Sequence, residues 1–283
     1  MNSILCPIKL AYRTFTEKIL SAKTFTLLLL LLFIYHIFLS PVRQVVKDIA
    51  YPVQPLLFPF LFTDVYFMIL FLSAVVYFFA DAPFMKSWTM YQIIRTGRIL
   101  WAWGEIAAVV LQSFAFVFLA IVMSASIVFP YYTFQEGWGK VLYTLSMTSL
   151  AQDYDIRFGI SYQLISGYGV VQTLCLELLV GTMVITFIGL LMFCVSLFFS
   201  RILANIAAMF FVMLPIVQVN MGKAVSWLSF ISPVSWLNLT ELGQPWKPTV
   251  QGCLIMLLMI NILLGILVVF RMKTVDFVVS KEE

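Results

Sequence analysis

The chain has 283 residues, of which 63% are hydrophobic and 11% charged, and its formal net charge is +4. A soluble domain is nearer half apolar and a quarter charged, so this composition excludes an ordinary soluble protein and a disordered one. The charge is too small and too dispersed for a nucleic-acid surface, and the apolar residues come in runs long enough for the lipid bilayer to be their solvent. Residues 7–21, PIKLAYRTFTEKILS, read as an amphipathic helix lying on the membrane. Pro7 suits its first turn, Ile8, Tyr12, Phe15 and Ile19 form one apolar stripe, and Arg13 and Glu17 are spaced to pair.

Six segments then carry the roughly 20 apolar residues that about 30 Å of hydrocarbon requires. They are 24–40, 61–80, 104–128, 171–199, 202–219 and 250–270. The first is followed by Pro41 and no small-residue cleavage site, so a retained span is expected rather than a removed signal peptide. The predicted fold is an all-α membrane protein, one transmembrane domain over 1–283. Eleven Lys and Arg fall in the segments of one side and six in those of the other. The richer side belongs in the cytoplasm, which puts both termini there.

Two connecting segments are unusual. Residues 85–98 read as a short amphipathic cytoplasmic helix, with Trp88, Tyr91 and Ile94 on one side and Arg95 and Arg98 at its far end. It is either a loop helix anchored at the interface or a docking element for a cytoplasmic partner. Residues 220–248 are too apolar for a solvated loop, and Pro233 interrupts them. Two short helices dipping into the outer leaflet as a re-entrant hairpin are expected there, with Trp227, Phe230, Val234 and Trp236 as an outer lid.

Ionisable groups inside spans are functional candidates by default. Glu177 lies near the outer end of the fourth span, on one side with Gly181. It either snorkels to the interface or pairs with a basic residue, or it lines an outward vestibule. Gln112 in the third span and His36, the sole histidine, complete the candidate path residues. Glu105 is expected in the first turn of the third span, where the helix dipole favours an acid, and Asp64 at the mouth of the second. The four cysteines show neither a CxxC pair nor zinc-ligand spacing and read as small hydrophobes. No phosphate-binding loop, HExxH or GxSxG is present, so the chain is not expected to be an enzyme by itself.

The joint pattern resembles the permease subunits of type-2 ABC exporters, also described as the type V exporter fold. The likeness covers nearly the whole chain. FMKSWTMYQIIRTGRILWAWGE looks like the family's coupling helix running into the third span, GLLMFCVSLFFSRILANIAA like its turn between spans four and five, and FISPVSWLNL like its apolar outer hairpin. The resemblance implies a homo- or heterodimer of permeases that docks a separate cytoplasmic ABC ATPase. ATP and Mg would then be bound by that partner and no cofactor by this chain. It also implies a bacterial plasma membrane location and export of a peptide or other amphipathic substrate. Two other readings stay open: a secondary transporter or channel that works without an ATPase, and a membrane scaffold or sensor.

Overall fold

The computed structural model describes residues 5–84, 89–133, 137–222, 227–244 and 247–274. Thirteen α-helices lie among them: α1 Leu5–Ile19, α2 Ala22–Ile49, α3 Phe58–Leu61, α4 Val65–Phe79, α5 Thr89–Thr96, α6 Arg98–Ile127, α7 Gly139–Met147, α8 Leu150–Asp153, α9 Tyr162–Gly167, α10 Val170–Phe198, α11 Arg201–Met221, α12 Leu228–Ile231 and α13 Val250–Met272. A 3-10 turn, Pro233–Leu237, follows α12. The only β pairing among the described residues is an isolated parallel bridge between Val53 and Tyr132.

Five helices, α2, α6, α10, α11 and α13, are long and apolar enough to cross a membrane, so the chain is a multi-pass, all-α membrane protein. The segment expected at 61–80 is different. The chain forms α3, breaks, and restarts as α4 with 15 residues, or about 22 Å of helix at 1.5 Å per residue. The restart has a local cause: Asp64 is the N-cap, and its carboxylate accepts from the Phe67 amide at 2.8 Å. Asp64 is thus a helix cap at the mouth of α4.

α2 runs past its expected end. Pro41 lies inside the helix, which continues to Ile49. A proline at this point deprives the Ile37 carbonyl of its amide donor. The Ser40 hydroxyl donates to that carbonyl at 3.4 Å instead. Val42, Val45 and Val46 beyond it are buried, so packing holds the extra turns.

α10 is the most enclosed of the spanning helices and packs against α4, α6, α11 and α13. Two glycines set its distance from α6. A Cβ on Gly181 would stand 3.3 Å from both Val117 methyls, and one on Gly189 would stand 2.8 Å from Val109 Cγ1 and 3.2 Å from the Phe79 ring. Eight residues forward on α10 are therefore eight back on α6, which makes the pair antiparallel and fixes its register. Against α13, Asn261 Nδ2 donates to the Met183 carbonyl at 3.0 Å and Arg271 Nε to the Leu197 carbonyl at 3.4 Å, so these helices run parallel. Arg271 thereby places a cation at the C-terminal end of α10, where the helix dipole favours it.

α1 lies along α6. Leu10 fills the notch over Gly104, where a Cβ would come within 2.5 Å of Leu10 Cδ2. The Ile8 and Tyr12 part of the expected stripe stays exposed, and the face that holds the helix is Leu10 and Ala11. Arg13 and Glu17 pair at 2.9 Å, as their spacing predicts. Lys18 sits 4.6 to 4.8 Å from the rings of Phe78, Phe79 and Phe84, fastening the end of α1 over the end of α4. Glu105 departs from expectation. α6 begins at Arg98, so Glu105 is its eighth residue rather than a first-turn acid. It is buried and accepts from Thr14 Oγ1 at 3.2 Å.

The close approach at Gly189 gives a direct check. Gly189→Leu is expected to cost about 1–3 kcal/mol, because its side chain meets Val109 and Phe79 on a tightly packed face. Gly265→Ala on α13, whose Cβ would meet only Ile106 at 3.9 Å, is expected to leave the midpoint unchanged or higher. Thermal unfolding in detergent separates the two.

Candidate functional site

The bundle interior holds one carboxylate with nothing to bind. Glu177, on α10, is completely buried, and neither of its oxygens has a hydrogen-bond partner among the described residues. It stands one turn before Gly181, on the face turned to α6 at Val117 and to Leu237 of the 3-10 turn. Tyr35 of α2 is also fully buried with an unpartnered hydroxyl, and it lies close enough to Glu177 for the two to interact electrostatically. The Tyr35 ring is held by Phe67 at 5.5 Å and Phe58 at 6.4 Å between centroids.

A buried carboxylate and a buried phenol are costly when unsatisfied, and ionisable groups inside a membrane bundle are candidates for holding or passing a proton or cation. The side-chain set suits a proton better than a metal. No group of three or more His, Cys, Asp or Glu that could hold a metal ion occurs among the described residues.

Gln112 does not join this site. It is buried on α6, but the Val117–Gly181 and Val109–Gly189 contacts put it level with Thr186. Glu177 is level with Ile121, about 14 Å further along the axis at 1.5 Å per residue. Gln112 Oε1 and Thr186 Oγ1 are themselves buried without partners, a second polar step below the first. His36 lies on the exposed face of α2, turned away from the bundle, while its neighbour Tyr35 points in. Sequence reasoning picked the histidine and missed the tyrosine. The signal was the two buried-side positions Leu31 and Leu39, each four residues from Tyr35 and on its side of the helix.

At the opposite end, α5 is held to the bundle by Thr89 and Ile93, both buried. Tyr91, Ile94 and Arg95 project outward, with Tyr91 78% and Ile94 81% exposed. Trp88 lies outside the described residues. Gly97, at φ +85°, makes the corner at which α5 ends and α6 starts, a conformation that favours glycine. Arg98 accordingly belongs to the first turn of α6 rather than to the short helix, and its Nη1 donates to the Lys273 carbonyl at 3.4 Å.

The expected outer lid divides into two parts. Trp227 and Phe230 are exposed, whereas Val234 and Trp236 are buried against the bundle. The Trp236 indole donates to the Ser229 carbonyl at 2.7 Å and ties the 3-10 turn back onto α12. Pro233 opens that turn, so one short α-helix and one 3-10 turn flank the break instead of two α-helices.

No protein-family model matches the chain, and neither does any curated protein or solved structure.

The unpaired state of Glu177 predicts an unusual stability response. Glu177→Leu removes a buried polar group with no partner, so unfolding in detergent should shift toward higher stability by about 1–3 kcal/mol. A lower midpoint than the parent chain would show that the carboxylate has a stabilising partner.

Proposed function

We propose that the chain is the membrane-spanning permease subunit of an ATP-driven exporter. Two copies, or this chain and a second permease, would dock a separate cytoplasmic ABC ATPase that binds ATP and Mg. The observation that carries this reading is α5. It is a helix of 8 residues between two membrane helices, anchored by Thr89 and Ile93, and among the described residues Tyr91, Ile94 and Arg95 stay exposed. An exposed aromatic and a β-branched residue beside a guanidinium are the composition of a protein–protein anchor. The corner at Gly97 joins α5 directly to α6, and α6 packs along α10, so a push on α5 would reach the centre of the bundle.

In this reading α4 is a sixth span, completed by α3 and the turn between them, and both termini are cytoplasmic in a bacterial plasma membrane. α1 is the amphipathic elbow. The exposed Trp227 and Phe230 form the outer lid, re-entrant in the outer leaflet, past which an amphipathic or peptide substrate leaves. The buried Val234 and Trp236 support it from below.

Glu177 favours a second reading, an ATPase-independent secondary transporter in which the buried carboxylate carries the coupling proton. The chain purified from its native membrane separates them. An exporter permease brings an ATP-hydrolysing subunit with it, and Tyr91→Ala with Arg95→Glu should abolish both co-purification and ATP-dependent transport. Loss of such an aromatic anchor costs about 2 kcal/mol or more of binding. Transport driven by a proton gradient without added ATP, abolished by Glu177→Gln and untouched by the α5 double substitution, would establish the second reading instead.

A further inference from the structure

Where α2 and α6 end, the chain forms an open cleft of about 440 Å³ lined by Lys47, Tyr51, Pro52, Pro130, Tyr131 and Tyr132 among others. Backbone bonds from Val53 to the Tyr131 carbonyl and from Thr133 to the Val53 carbonyl, both 3.2 Å, hold its two walls together. Three cations gather on its tyrosines. The Arg43 guanidinium lies 5.5 Å and the Lys47 ammonium 5.6 Å from the Tyr131 ring centroid, and the Lys140 ammonium lies 5.9 Å from that of Tyr51.

Arg43 and Lys47 are four residues apart on one helix face, an arrangement that like charges make unfavourable. No carboxylate pairs with any of the three cations among the ion pairs of the described residues. The nearest acid on α2, Asp48, is engaged by the Tyr154 hydroxyl, a bond that raises the Tyr154 pKa above its ordinary value. Arg43 Nε is buried and has no hydrogen-bond partner. Phe129, whose ring lies 6.0 Å from that of the lining residue Tyr132, is 62% exposed.

We infer that this cleft binds a phosphate-bearing group, with Arg43, Lys47 and Lys140 neutralising the anion and the exposed Phe129 lying against any attached apolar chain. A guanidinium and two ammonium groups with no ion pair among the described residues supply the charge and the donors that phosphate oxygens take up. The aromatic rings hold the cations in place when the site is empty. The phosphate belongs either to an anionic lipid headgroup or to a soluble phosphate compound, and the cleft binds it whether or not an ATPase docks on α5.

The test uses the full chain in a neutral detergent, analysed by native mass spectrometry with phosphatidylglycerol, phosphatidylcholine, glycerol 3-phosphate and inorganic phosphate as separate probes. Phosphatidylglycerol should be retained over phosphatidylcholine, and each cation removed should weaken retention about fivefold. Lys47→Gln with Lys140→Gln alters only exposed side chains, so it tests the site without loss of packing. Arg43→Gln, checked by its melting curve, extends the series. Preference for phosphatidylglycerol that falls in these variants identifies a lipid headgroup. Binding of glycerol 3-phosphate or inorganic phosphate that falls in them, without lipid preference, identifies a soluble source. Equal retention of both lipids with no binding of either soluble probe, or binding unchanged in the variants, overturns the inference.

Discussion

Everything in the interior follows from how closely α6 and α10 approach. Lipid is as apolar as leucine, so helices in a bilayer are held by packing and hydrogen bonds rather than by escape from water. Gly181 and Gly189 remove the two side chains that would otherwise keep Val117 and Val109 away, and the valines fill those notches. With α6 on one side and α4, α11 and α13 around the rest, the middle of α10, from Val184 to Leu190, is buried without a break. Glu177 lies on the face of α10 that this contact covers, and it is fully buried although it is only the eighth residue of the helix.

The two buried acids of the bundle show how differently the same group can be accommodated. Glu105 faces α1, and that helix brings the Thr14 hydroxyl to it and Lys18 near it. Neither oxygen of Glu177 has a hydrogen-bond partner among the described residues. Burying a carboxylate without partners is expensive, and natural chains keep such a group where it is used. A structural role accounts for Glu105, which joins α1 to the core. No hydrogen bond among the described residues gives Glu177 such a role.

Run length and hydropathy made the long spans legible, because a bilayer imposes one length on every helix that crosses it. Span four was expected at 171–199 and forms Val170–Phe198; span six was expected at 250–270 and forms Val250–Met272. Legibility ended where a local hydrogen bond or a distant partner decided the outcome. The Asp64 cap shortens α4, although hydropathy alone runs on through it. The contact of Leu10 with Gly104 lies 94 positions apart in sequence and leaves no periodic trace. Val234 and Trp236 read as an outer surface because they are apolar beside a proline, but that composition fits buried packing against the bundle equally well. The candidate site was half legible. Glu177 stood out as a charge in an apolar run, whereas Tyr35 differs from its phenylalanine neighbours by a single hydroxyl.

Pro41 carries the largest consequence of such a local effect. Read as a helix end, it puts Arg43 and Lys47 in an outer loop, where two cations have no reason to share a face. Because Ser40 takes over the Ile37 carbonyl and Val42, Val45 and Val46 are buried, the helix continues for two further turns. Within a helix, four residues bring side chains to one side. Arg43 and Lys47 are thereby fixed over the same Tyr131 ring, and the end of α2 becomes a wall of the cleft. The charge that a count of Lys and Arg treats as an orientation signal is here concentrated at one point. Of the six basic residues counted on the sparser side, three lie around one cleft. A concentration of that kind at a membrane surface attracts anions within about a Debye length, roughly 8 Å at physiological ionic strength.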